Sequence, residues 1–472
     1  MFRDSVFSLI TTVVRLATGV VLFVVLAHAW GPEKFGVFMY PFTIAGILVK
    51  LVDYGFLLQV ARDVGRDTGA AHATMSRALG AKLLLVVPAV AVACAIPLVM
   101  PGTQGFGALL ALMMVDAIGS SFVLFLNIPL RALGRFDLET RVASLSNGVV
   151  FVSVVATALT GHGPLMTAAV MAATRTVCLF LPWHAYRRLL GAAPRPLFET
   201  RALRTSLWVG LPFCVHATVG TLILQMETLM VQRYLGAGSV GLYQAGMRIL
   251  LGAVLVGDAL NGVYLSAMAR ASHEPAELAR LGQRMTRQLL TVGLFGFGCI
   301  LAAGPLVVRL LFGGKYDALA GILPLFGLLT FIRYGGVSYG TLLTLSDRQA
   351  VRVAAVCGVM VLGVALNALL IPRYGLVGAT VASIIGHCVL YAVYAYAARK
   401  DVGGYLIDRR SGVLLCLACA IVIFLPLLPS VDASVRIALG ATLALASLVV
   451  GPTAAEWGRL PRPLRPLAAF AR

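Results

Sequence analysis

Long apolar runs broken at short polar intervals set the pattern of this chain from end to end. Stretches long enough to cross about 30 Å of hydrocarbon at about 1.5 Å per residue lie near 5–29, 35–58, 79–100, 105–130, 142–160, 163–184, 206–231, 239–268, 288–312, 317–345, 350–371, 375–397, 411–428 and 433–452. The pattern predicts an all-α polytopic membrane protein of about fourteen transmembrane helices. The connections leave no room for a folded domain outside the membrane, which argues against polymerases and glycosyltransferases that rely on a large external loop. Arg3 and Ala27-His28-Ala29 imitate a signal peptide and its cleavage site, but Arg15 interrupts the apolar segment, so it is read as a span.

The segment between the first two spans, Gly31-Pro32-Glu33-Lys34-Phe35-Gly36-Val37-Phe38, is echoed by Gly236-Ala237-Gly238-Ser239-Val240-Gly241-Leu242-Tyr243 at an offset of 205. Arg141-Val142-Ala143 matches Arg352-Val353-Ala354 at 211, and Gly163 with Arg187 matches Gly375 with Arg399 at 212. Their common order predicts two homologous lobes of six spans, 1–205 and 206–400, followed by 401–472 with two accessory spans and a basic tail. Even numbers of spans give both lobes the same orientation. Parallel repeats of this kind enclose a pathway in many transporters.

Composition agrees with the bilayer: 60% of the 472 residues are hydrophobic and 12% charged, with a mean hydropathy of +0.92. The net charge of +19 would suggest nucleic acid in a soluble protein. Here 27 of the 38 Lys and Arg residues fall on the side that carries Arg3, Arg62, Arg131, Arg187, Arg270 and Lys82, and 6 on the other. By the positive-inside rule that side, with both termini, is cytoplasmic. No nucleic-acid partner is needed to explain the charge.

The remaining charges lie inside spans: Arg15, Lys50, Arg175, Arg248 and Arg333, with Asp53, Asp116, Glu227 and Asp258. Each costs about 2.5–3.5 kcal/mol at a helix centre, so each is expected to face a cavity or a partner. Arg15, Arg248 and Arg333 sit on polar stripes at helical spacing and are candidates for cavity lining and anion binding. Lys50 has Asp53 one turn away, and Arg175 has Asp116 at similar depth, so pairing competes with a substrate role for both. Asp116, Glu227 and Asp258 are candidates for coupling to H+ or Na+. The surplus of one interior cation points weakly to an anionic substrate.

Other motifs dissolve in context. Gly236 to Gly241 spells GxGxxG, and Gly336-Val337-Ser338-Tyr339-Gly340 spells GxSxG, but neither has the strand-to-helix setting its chemistry needs. They read as a tight external turn and as close helix packing. No P-loop and no metal-ligand cluster is present in the sequence, and the eight cysteines all lie in apolar runs, so no cofactor and no disulfide framework is expected.

Leu26-Ala27-His28-Ala29-Trp30-Gly31-Pro32-Glu33-Lys34-Phe35-Gly36 followed by Asp53-Tyr54-Gly55 resembles the amino-terminal signature of the Wzx-type polysaccharide transporters. Tyr234 to Tyr243 and Ile371 to Ala379 are similar to their mid-chain and twelfth-span motifs. This resemblance implies a multi-pass protein of the bacterial inner membrane that flips an undecaprenyl-diphosphate-linked oligosaccharide to the periplasmic leaflet by alternating access. It further implies that membrane lipids and the glycan lipid are its partners, that Arg15 engages the diphosphate, and that the protein is not an enzyme. The basic loops are candidates for docking polysaccharide biosynthesis enzymes. The alternative is a cation-coupled drug or metabolite antiporter of the same superfamily, and its expected excess of interior acids is not seen.

Overall fold

The computed structural model describes residues 2–67, 69–99, 105–271, 273–346, 348–424 and 432–452. The end of the predicted span 411–428 and the basic tail with Arg459, Arg462, Arg465 and Arg472 lie outside the described residues. Among those described there is no β-strand, and the chain packs as two compact units, Met1–Gln244 and Ala245–Arg472. The first unit holds α1 (Phe2–Asp53), α2 (Phe56–Arg66), α3 (Ala71–Val99), α4 (Phe106–Leu126), α5 (Ile128–Ala132), α6 (Phe136–Leu159), α7 (Pro164–Cys178), α8 (Phe180–Leu190) and α9 (Thr200–Leu235). The unit boundary falls within α10 (Ala237–Arg270). The second unit continues with α11 (Pro275–Phe312), α12 (Asp317–Leu345), α13 (Gln349–Ala398), α14 (Arg409–Phe424) and α15 (Ala433–Val450).

Two of these helices double back. In a straight helix Phe23 and Phe42 would stand about 28 Å apart, yet their ring centroids in α1 are 5.0 Å apart. The reversal is at Gly31, with φ 77° and ψ 174°, a conformation that a Cβ would strain. Helix α13 does the same at Gly375, φ 59°, and Arg348 before its start donates to the Ala397 carbonyl near its end at 2.9 Å. Each is therefore an antiparallel pair covering two predicted spans. Ten helices among the described residues are long and apolar enough to cross a membrane, with α1 and α13 counted once each.

The echoed segments of the repeat meet inside the first unit. Gly236, like Gly31, has a positive φ, 82°, and extended ψ. A Cβ on Gly36 would lie 1.7 Å from the Ala237 carbonyl oxygen, and one on Gly241 would lie 1.9 Å from that of Pro32. So the GxGxxG of the sequence is a close backbone crossing at the α9–α10 turn. The GxSxG lies within α12, where a Cβ on Gly336 would strike the Tyr391 ring at 1.9 Å. The tight turn and the close helix packing read from sequence context are both present.

Core packing is apolar in each unit. Phe56, Met75, Leu79, Phe125 and Tyr186 centre one cluster of the first unit, and Leu294, Phe297, Leu301, Phe331 and Leu414 one of the second. All eight cysteines are free. At the end of the second unit that carries the α13–α14 loop, Arg287 pairs with Asp408, which also accepts from the Ser411 backbone N–H at 2.7 Å. Burial alone would raise the Asp408 carboxyl, but these partners hold it below the usual carboxylate range.

Candidate functional site

A polar site lies in the first unit where α1 breaks. The helix ends at Asp53, and Tyr54 and Gly55 follow with φ 43° and φ 77° before α2 begins. Positive φ at a tyrosine is an uncommon, strained state. A helix end leaves backbone carbonyls that side chains or water must satisfy. Here the side chains do much of it: the Val52 carbonyl, one of the last turn's unpaired acceptors, takes a hydrogen bond from Lys82 Nζ at 3.3 Å.

Lys82, counted from the sequence on the side that carries Arg3, is buried within the fold, its side chain only 2% exposed. Its ammonium donates to Asp53 Oδ1 at 3.4 Å and to Ser121 Oγ, and Ser121 donates in turn to Asp53. It also lies 5.2 and 5.6 Å from the ring centres of Phe122 and Phe125, within cation–π range. Asp53 Oδ2 is bonded to Lys50 Nζ at 3.2 Å, the one-turn pairing expected from the sequence. One carboxylate thus serves two lysines.

Lys50 and Asp53 line a cavity of about 140 Å³ with Asp116, Ser120 and Ser121 among its polar groups and Phe42, Val49 and Leu124 among its apolar ones. Its wall is mostly apolar with these polar groups set into it, and it is large enough to hold several waters. Asp116 is not open to it as a lone carboxylate. Arg175 Nε reaches Asp116 Oδ1 at 3.1 Å, as the sequence reading allowed, and Arg175 Nη1 reaches Asn147 at 3.4 Å. The side chain of Arg175 passes over Gly119, where a Cβ would lie 2.8 Å from its Cγ. Both charges are nearly buried, at 10% and 7% exposure.

Charge accounting then singles out one group. Arg175 cancels Asp116, and Lys82 and Lys50 share Asp53, so the site carries one net positive charge. Lys50, at 33% side-chain exposure, is the cation that presents it to the cavity.

The other predicted residues lie elsewhere. Arg15 is exposed on α1 within electrostatic range of Arg131 and Glu139, themselves paired at 2.7 Å, and is not among the residues lining the Lys50 cavity. Glu227 is buried on α9, next in sequence to Thr228, which accepts from Gln244 at 2.8 Å. In the second unit Arg248 is half-buried on α10, and Asp258 on the same helix is within electrostatic range of Arg333 on α12. His387 and Tyr391 are within range of Arg333 as well. No group of three or more His, Cys, Asp or Glu that could hold a metal occurs among the described residues.

The family model of a group described as polysaccharide biosynthesis proteins matches residues 3–257, more than half of the chain and all of the first unit's cavity. The chain belongs to this family. Among curated relatives, the amylovoran biosynthesis protein AmsL of Erwinia amylovora is 27% identical over 176 residues. That match covers 36% of this chain and 45% of AmsL, so the chain spans less than half the length of that relative. The fold is that of the lipid II flippase MurJ in an inward closed conformation, with a TM-score of 0.70 and 13% identity over 94% of this chain and 98% of that one. An inward-facing multidrug resistance MATE family transporter of the MOP superfamily gives 0.67 and 16% identity over 85% and 98%. At such identities the likeness is one of fold. This member of the polysaccharide biosynthesis family is a multi-pass, all-helical membrane protein.

Proposed function

We propose that this protein is a flippase that carries a lipid-linked glycan with a diphosphate head across the membrane for polysaccharide assembly. Family membership supports the pathway, and the fold shared with MurJ supports the kind of transport. The observation that carries the reading is the net positive charge of the trio Lys50, Asp53 and Lys82, with Lys50 as the cation that lines the cavity. An accessible ammonium in such surroundings forms a strong charge-assisted contact with a phosphate oxygen. Arg15, Arg248 and Arg333 are assigned to further contacts along the path, and Glu227 or Asp258 to H+ or Na+ coupling by alternating access. The cargo class is an undecaprenyl-type diphosphate oligosaccharide, moved from the cytoplasmic leaflet outward in a bacterial inner membrane. The protein carries out transport and not bond chemistry.

Reconstitution tests this directly. In proteoliposomes loaded with a prenyl-diphosphate oligosaccharide, Lys50→Gln is expected to cut the flipping rate by about tenfold or more, since a charge-assisted contact contributes about 1.5–3 kcal/mol. A folded Lys50→Gln protein that flips at the wild-type rate overturns the reading.

A further inference from the structure

Two lysines around one carboxylate are one more than neutrality requires. Lys50 sits a turn from Asp53 and already balances it. Lys82 lies on a different helix, 29 residues further along, and brings a second ammonium to the same carboxylate in a buried place where an ion is costly. It has no donor left for a ligand: its three N–H groups have the Val52 carbonyl, Asp53 and Ser121 as acceptors. A neutral side chain could cap Val52. What only a cation can do there is take up the charge of Asp53.

We propose that Lys82 is a positioning residue that shares the charge of Asp53 and thereby leaves Lys50 with net positive charge to offer an anionic phosphate head in the cavity. The proposal rests on the reading of this cavity as an anion site. With Lys82, the trio of Lys50, Asp53 and Lys82 carries one net positive charge, and that charge is on the accessible member. Without it, Lys50 is the one cation left on Asp53, to which it is already bonded at 3.2 Å, and the pair is neutral. Lys82 also ties Asp53 and the last turn of α1 in place, through Val52, at the strained Tyr54–Gly55 break. Its cationic character and its place at a helix C-terminus reinforce each other.

The arithmetic dictates the test. Lys82→Met should bring the trio to zero, and Lys82→Met with Asp53→Asn should return it to plus one with Lys50 unhindered. Binding is read on the purified full-length protein with farnesyl diphosphate as the probe and farnesol as the uncharged control. Lys82→Met is expected to weaken farnesyl diphosphate by about tenfold or more, a modest share of what one unit charge at ion-pair distance supplies. The double variant is expected to bind within about threefold of wild type, and farnesol should not distinguish the proteins. Unchanged binding in Lys82→Met overturns the proposal. So does a double variant as weak as the single one, which would make Lys82 a ligand or a structural brace. Where Lys82→Met does not give a monodisperse protein, the double variant decides alone: near wild-type affinity supports the proposal, and a loss of tenfold overturns it. Lys50→Gln separates the two levels. If it leaves farnesyl diphosphate binding intact, the anion-site reading itself falls. If it abolishes binding while Lys82→Met does nothing, only the role of Lys82 falls.

Discussion

Replacing Arg175 by methionine is expected to destabilise the protein by about 3–5 kcal/mol, the usual cost of leaving one member of a buried ion pair behind. Asp116 would remain with its side chain 7% exposed and without its cation. Asn147 is bonded to Arg175 in the present structure, so it offers no preformed substitute. The companion double variant, Arg175→Met with Asp116→Leu, is expected to recover most of the loss, because two apolar side chains of similar volume are often as stable as the pair they replace. Thermal denaturation of the purified variants measures both. A double variant as unstable as the single would show that packing around Gly119, and not charge, is what Arg175 supplies. The double variant also separates structure from transport. If it flips cargo normally, neither residue belongs to the substrate or ion path, despite the candidacy both have from the sequence.

The second large effect is expected where backbones touch. Gly36→Val or Gly241→Val would put a Cβ within 2 Å of a carbonyl oxygen on the facing segment, so the two chains would have to part by more than 1 Å. No flexible side chain is there to yield, since the atoms met are Ala237 and Pro32 backbone. The expected cost is at least the 1–3 kcal/mol or so typical of overpacking, seen as a lower denaturation midpoint and poor yield. Gly19→Ala is the control. It is a helical position on α1 with no heavy atom within 4 Å of a built Cβ, and there alanine should be neutral or stabilise by up to about 1 kcal/mol. Equal losses at Gly36 and Gly19 would refute the close crossing.

The sequence announces its helices because burial in lipid demands uninterrupted apolar length, and that signal is local. It also shows both intramembrane pairs that a reader can test by spacing or depth: Lys50 with Asp53 at one turn, and Arg175 with Asp116 at similar depth in the sixth and fourth spans. Lys82 is different. A lysine at the edge of an apolar run usually snorkels to the interface, and only the fold brings it to Asp53, 29 residues earlier, and Ser121, 39 residues later. The break after Asp53 was equally hidden. Tyr54-Gly55 reads as part of a span, and just one glycine hints that two residues there turn left-handed. The reversals at Gly31 and Gly375 were legible as span boundaries, because polar and small residues cluster around them. A polar stripe identifies a face of a helix but not its surroundings: Arg15 has Arg131 and Glu139 within electrostatic range and does not line the Lys50 cavity.

Mass spectrometry of undecaprenyl-linked lipids in the native host, with and without this protein, tests whether the chain moves a diphosphate-linked glycan across the membrane. Deletion is expected to make complete diphosphate-linked repeat units accumulate while surface polysaccharide is lost. Wild-type protein, but not Lys50→Gln, is expected to reverse both changes. Unaltered lipid pools and normal surface polysaccharide in a host with no second flippase would contradict the flippase reading.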